Sequence, residues 1–204
     1  MQHPVLEGID RRFSVNFYDP DHRLTDVEIH RLITYAVRAP SAYNLQNWRF
    51  IAVRSAQAKA RLRALAYDQP KVTEAAVTII VVGILPDAAA VPSRLSPMVE
   101  SGAMSPAMAQ GWEEGARSLY AEPQTARDEA IRSATLAAST LMAAAQAMDL
   151  ASGPMVGFDP DGVRRAFGLV ADDVPVMLLT LGRAADGNWS QKPRRPTAEV
   201  LEFA

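Results

Sequence analysis

The chain contains no cysteine. That excludes disulfides, thiolate metal centres and a cysteine nucleophile. Lysine is scarce too: of 21 basic residues only Lys59, Lys71 and Lys192 are lysine. Either this is a coding preference for arginine, or a retained lysine marks a place where a compact ammonium differs usefully from a guanidinium fork. Neither sign of charge is in excess. The net charge of −2 gives no electrostatic case for nucleic acid or an anionic membrane as partner. No uninterrupted apolar run reaches the roughly 20 residues that span a bilayer. Met1-Gln2-His3-Pro4 lacks a basic stretch leading into an apolar one, so no signal peptide is evident and the expected location is cytoplasmic. No G-x-G-x-x-G or Walker loop follows a strand, which argues against a Rossmann unit or a P-loop NTPase.

What is present suits one domain over 1–204, with 49% apolar residues and a self-sufficient core. Thr25-Asp26-Val27-Glu28 is a capping box, and the apolar spacing after it predicts a helix over about 25–38. A loop over 40–47 leads into a strand near 48–54. Ser55 opens a helix to Leu65, and a helical turn lies around 70–76. Val77 to Ile84 is nearly continuously β-branched, as in a central strand covered on both faces. The Ala-rich stretch 124–148 predicts a helix buried against several neighbours, central to the fold or at an interface. A helix over 160–168 and a strand over 174–181 follow. Strands separated by helices without a regular βαβα repeat indicate a mixed sheet surrounded by helices. Prolines divide 86–125, where 105–120 reads as helical. That stretch is either a lid or pocket wall, or a surface excursion packed on its own subunit.

The most distinctive stretch is Pro40-Ser41-Ala42-Tyr43-Asn44-Leu45-Gln46-Asn47-Trp48. Ser41, Asn44 and Gln46 offer neutral hydrogen-bonding groups, and Tyr43 and Trp48 offer flat apolar surface. That mixture suits a planar heterocycle with polar edges. Asn44 and Gln46 equally suit local capping of the loop's own amides.

This loop closely resembles the P-S-S-x-N-x-Q-P-W signature of the FMN-dependent nitroreductase family. Three further segments match that family in order. Arg11-Arg12-Phe13-Ser14-Val15-Asn16-Phe17-Tyr18-Asp19-Pro20 resembles its R-R-S-x-R/K-x-F-D-P, Gln69-Pro70-Lys71 its amide-and-base position, and Ser152-Gly153-Pro154-Met155-Val156-Gly157-Phe158-Asp159 its flavin-approaching turn, joined by Gln191-Lys192-Pro193-Arg194-Arg195-Pro196, which resembles its K-x-R phosphate motif. Alone, the last would read as a solvated basic tail.

The resemblance implies an α+β fold: a mixed, mainly antiparallel sheet flanked by helices, in a homodimer. It implies FMN contacts from Arg11, Arg12, Phe13, Ser14, Asn16, Gln69, Lys71, Pro154, Met155, Val156, Gly157, Lys192 and Arg194. Pro40, Ser41 and Asn44 would reach the isoalloxazine from the other subunit. Tyr43 and Trp48 would wall the substrate pocket, and the tail 184–204 would pack on the partner. NADH or NADPH would serve as reductant, and an electron-poor small molecule such as a nitroaromatic or quinone as acceptor, in ping-pong hydride transfer. Phe13, Asn16, Asn47 and Val156 depart from the family pattern. A dehalogenase, a dehydrogenase, a flavin-fragmenting enzyme or a non-catalytic flavin binder on the same scaffold stays open. His3, His22 and His30 lie outside every matching segment, so a His-based triad or metal site has no support.

Overall fold

The computed structural model describes residues 2–204; Met1, the first residue of the N-terminal stretch read above, lies outside them. Among the described residues eight α-helices and four strands follow in the order α1 (Pro4–Arg11), α2 (Asp26–Ala36), β1 (Trp48–Val53), α3 (Ala56–Leu65), α4 (Lys71–Glu74), β2 (Val77–Ile84), α5 (Val91–Glu100), α6 (Pro106–Leu119), α7 (Pro123–Ala147), β3 (Ala151–Met155), α8 (Pro160–Ala166) and β4 (Asp173–Gly182). The strands form one sheet in the order β1-β2-β4-β3, each pair antiparallel. One isolated parallel bridge, Ser14 to Ser152, adds the N-terminal segment to the β3 edge. Among the described residues no helix is long and apolar enough to cross a membrane.

The helix starts follow local chemistry. Thr25 Oγ1 accepts from the Glu28 amide at 3.2 Å, and the Glu28 carboxylate accepts from the Thr25 amide at 2.8 Å. This reciprocal pair satisfies two donors that the first turn leaves free. Ser55 and Ser105 cap α3 and α6, and Asp159 caps α8.

Strand β2 is the spine of the sheet, buried from Val77 through Gly83. Alternation divides its side chains between two cores. Val77, Ile79 and Val81 pack with Leu32 of α2 and with Ala134, Ala138 and Leu141 of α7. Ile80 and Val82 pack on the other face with Leu62 of α3, Val72 of α4 and Val163 of α8. The 25-residue α7 is the central helix, and its buried alanines let it lie close to the sheet.

Three elements differ from the sequence reading. Within 86–125 a regular helix, α5, precedes the expected α6. Pro92 sits in its first turn, where a missing N–H costs nothing. Pro97 withholds the donor that the Ser93 carbonyl would receive, and Ser96 Oγ supplies one at 3.1 Å. Second, Ala151–Met155 is a strand rather than only a turn. Pro154 is tolerated because β3 lies at the sheet edge. Third, α1 had no counterpart among the expected helices.

Gly83 sets the separation of β2 and α7. A Cβ there would lie 2.6 Å from the Ala130 carbonyl oxygen and 2.8 Å from its carbon, both backbone atoms of α7. Gly83→Ala should therefore lower the unfolding free energy by about 1–3 kcal/mol, the usual cost of overpacking. Urea unfolding at fixed protein concentration checks this, and an unchanged midpoint would mean that α7 shifts freely on the sheet.

Candidate active site

The residues singled out in the sequence fall into two groups in the folded chain. The first gathers where the N-terminal segment crosses β3. A Cβ on Gly153 would meet Thr180 Oγ1 at 2.6 Å and the Val15 carbonyl oxygen at 2.7 Å, so only glycine admits this crossing. The Val15 amide donates to the Ser152 carbonyl at 3.1 Å. The buried Tyr18 hydroxyl donates to the Thr180 carbonyl at 3.0 Å, and Thr180 Oγ1 donates to the Gly153 carbonyl at 3.0 Å. Burial raises the Tyr18 pKa, which keeps the phenol a donor.

The C-terminal tail is tied to the same segment. Asn188 Oδ1 accepts from the Asn16 amide at 2.8 Å and the Phe17 amide at 3.1 Å. Its Nδ2 donates to the Phe17 carbonyl at 2.8 Å. Gln191 Nε2 donates to the Arg12 carbonyl at 2.9 Å. The sequence analysis missed Asn188 as an organiser. Its only signal was the turn composition of Asp186-Gly187-Asn188.

This tie brings cations together. Lys71 Nζ donates to Asn16 Oδ1 at 3.3 Å. Its pKa is held below the ordinary lysine value, first by burial and then by the charge of Lys192. Arg12 Nη1 is buried with no hydrogen-bond partner. Arg194 Nη1 donates to the Lys192 carbonyl at 2.9 Å, and the Lys192 ammonium lies 5.5 Å from the Trp189 ring centre. Among the described residues no carboxylate pairs with Arg12, Lys71, Lys192 or Arg194. A buried guanidinium N–H without a partner and two ammonium groups that repel one another suit an anionic group.

Around this cluster Arg11 and Ser14 are exposed, and Phe13 packs on Val15 and Tyr18. Gln69 Nε2 donates to the Gly157 carbonyl at 2.9 Å, which fixes the main chain beyond β3. Met155 is buried, Pro154 half-buried and Val156 exposed.

The second group is the loop after α2. Tyr43, Asn44 and Gln46 all have positive φ, between 53° and 54°. Each such non-glycine residue costs roughly 1–2 kcal/mol. Hydrogen bonds offset part of this. Ser41 Oγ accepts from the Gln46 amide at 2.9 Å, Gln46 Nε2 donates to Asn44 Oδ1 at 3.3 Å, and Asn44 Nδ2 donates to the Arg94 carbonyl of α5 at 3.4 Å. Packing offsets more. Tyr43 stands edge-on to Trp112 of α6 at 6.0 Å and to Tyr120 at 6.1 Å, and Leu45 is buried with α5 and α6. Burial, with the Glu129 charge next, pushes the Tyr120 phenol up to about 12. Pro40 is exposed. Trp48, by contrast, packs on the α2 and α7 side of the sheet. Among the described residues no hydrogen bond or ion pair joins the two groups.

The family model described as the nitroreductase family matches residues 9–183. Protein DrgA of Synechocystis is 34% identical over 186 residues, covering 89% of this chain and 85% of DrgA. An NADH dehydrogenase of Thermus thermophilus is 33% identical over 202 residues, covering 97% and 96%. Among solved structures, a protein from Exiguobacterium sibiricum in complex with FMN superimposes with a TM-score of 0.89 at 27% identity, over 100% of this chain and 99% of that one. YdfN of Bacillus subtilis gives 0.92 at 25% identity, over 98% of each. A match over most of its length, together with the helix-flanked antiparallel sheet, shows that this chain belongs to the nitroreductase family.

Proposed function

We propose that this chain is an FMN-dependent NAD(P)H oxidoreductase that reduces electron-poor acceptors such as nitroaromatics and quinones. The observation that carries this reading is the carboxylate-free cation cluster around Asn16, with the buried Arg12 Nη1 unpaired. Its chemistry fits the phosphate of FMN, which carries nearly two negative charges. The FMN complex of the Exiguobacterium protein supports the same cofactor.

Arg12, Lys192 and Arg194 would hold the phosphate, with the Ser14 hydroxyl as a further donor. Lys71 and Asn16 would offer an ammonium and an amide to the flavin. Gln69 holds the Gly157 carbonyl, so the main chain over 154–157 keeps one shape. The chemistry that FMN supplies when bound is two-electron hydride transfer, in from NAD(P)H and out to an acceptor. The protein therefore needs no nucleophile of its own, and His3, His22 and His30 lie apart from the cluster. Donor and acceptor would use the same pocket in turn, the ping-pong order. The α5–α6 hairpin, with Trp112 and Tyr43, forms its wall.

The site is completed in a homodimer. The loop with Ser41 and Asn44 makes no bond to the cation cluster of its own chain. Strand β1 has one unpaired edge. The tail beyond Gly182 ends in exposed Val200, Leu201 and Phe203, and Val5, Leu6 and Ile9 of α1 are exposed as well. Apolar surface of this extent belongs to an interface. We read the tail as packing on the partner, so that each subunit's loop faces the other's cations.

Two measurements check this reading. Anaerobic addition of NADPH or NADH to the flavin-loaded protein should bleach its visible absorbance, and an added nitroaromatic or quinone should restore it. Flavin bands that persist would replace the enzyme with a binding protein. Sedimentation equilibrium should find two chains per particle, whereas a monomer with tightly bound flavin would remove the shared site.

A further inference from the structure

Helix α4 takes part in two polar sites. Lys71 joins the cluster around Asn16, while Thr73 lines a separate pocket of about 420 Å³. That pocket lies between the turn before α2, the start of α3, and α4. Arg23, Arg54 and Lys59 line it, and no aspartate or glutamate does among the described residues. None of Arg12, Lys192 and Arg194 reaches it, so it is independent of the proposed FMN site.

The lysine is the unusual member. Lys59 is only 8% exposed. Its ammonium donates to the main-chain carbonyls of Ala75 and Thr73, and no carboxylate meets it. Burial lowers its pKa, and the charges of Arg23 and Arg54 lower it further. A buried ammonium beside two guanidinium groups is an expensive arrangement unless something negative joins it. Among the described residues one acid pairs with these three cations, Asp26, on one nitrogen of Arg54. Arg54 Nη2 donates to the Leu24 carbonyl at 2.9 Å, and Arg23 Nη1 to the His22 carbonyl at 3.0 Å. Three cations against one acid leave room for two negative charges.

The rest of the lining suits the same guest. Ser55 Oγ accepts from the Ala58 amide at 3.2 Å and keeps its O–H to donate, whereas the Thr73 hydroxyl is spent on the Pro70 carbonyl at 2.9 Å. Ala56 opens α3, a helix of 10 residues whose N-terminus favours an anion. Leu24 and Ala76 supply apolar wall. The volume is at the lower end of the roughly 300–1,000 Å³ of small-molecule sites. We propose that this pocket binds a phosphoryl group, either as free phosphate or at the end of a small phosphomonoester. Guanidinium forks match phosphoryl oxygens in pairs, which a lone carboxylate would use less fully.

Isothermal titration calorimetry of FMN-saturated protein tests this, in a phosphate-free buffer at constant ionic strength. Inorganic phosphate and glycerol 3-phosphate are the two probes. At least one should give a saturable site per chain. Tighter binding of the ester points to a phosphorylated metabolite, and equal or weaker binding to free phosphate. Arg23→Gln, at an exposed position, and Lys59→Gln should each weaken binding by at least roughly tenfold, the worth of one charge-assisted hydrogen bond. If Lys59→Gln fails to fold, Arg23→Gln still decides. No saturable heat with either probe, or affinity undiminished in the folded variants, would overturn the proposal.

Discussion

The missing Cβ of Gly153 decides where the N-terminal segment runs. With any side chain at that position, Val15 and Thr180 would be pushed off β3. Because the crossing is tight, the Ser14–Ser152 bridge and the buried Tyr18–Thr180 hydrogen bond can form. Asn188 then ties the tail to Asn16 and Phe17, and Gln191 ties it to Arg12. Residues from four distant parts of the chain thus share one surface, although none of their side chains makes the crossing itself. In the proposed site arginine and lysine supply the charge, while the local shape is set by a glycine, a threonine and an asparagine.

Electrostatics and strain are both left unresolved within the single chain. The cations near Asn16 repel one another, and Arg12 keeps a buried N–H without an acceptor. The loop after α2 holds three non-glycine residues at positive φ. Such conformations persist where the surroundings over-determine them, as Tyr43 and Leu45 are held here by α5 and α6. In the proposed site a bound dianion would relieve the repulsion. The loop's hydrogen bonds hold Ser41 and Asn44 in a fixed geometry, which the proposed sharing of the site between two chains would use.

Much of this was legible in the sequence, for physical reasons that differ by element. Val77–Ile84 is so rich in β-branched residues that only a central strand fits, and the capping box of Thr25 and Glu28 marks α2 without help from tertiary structure. The Ala-rich α7 declared its burial by small residues on nearly every face. Proline concealed two elements. Pro97 reads as a helix breaker, and Ser96 compensates for it; Gly153-Pro154 reads as a turn, and the edge position admits it as strand. The candidate site segments stood out by their resemblance to the family's motifs, not by composition. That Trp48 turns to the core while Tyr43 turns to α6 depends on packing, which the motif does not encode. Asn188 showed only a turn composition, since its role exists only once residues 172 positions apart in the chain are adjacent.

The most direct test of the account is a fluorescence titration of flavin-free protein with FMN, comparing the natural chain with a Lys192→Ala/Arg194→Ala double variant. Both side chains are exposed on the tail, so circular dichroism should show the variant folded. The account predicts affinity weaker by at least roughly tenfold, from the loss of charge-assisted hydrogen bonds to the phosphate. A folded variant that binds FMN as tightly as the natural chain would contradict it.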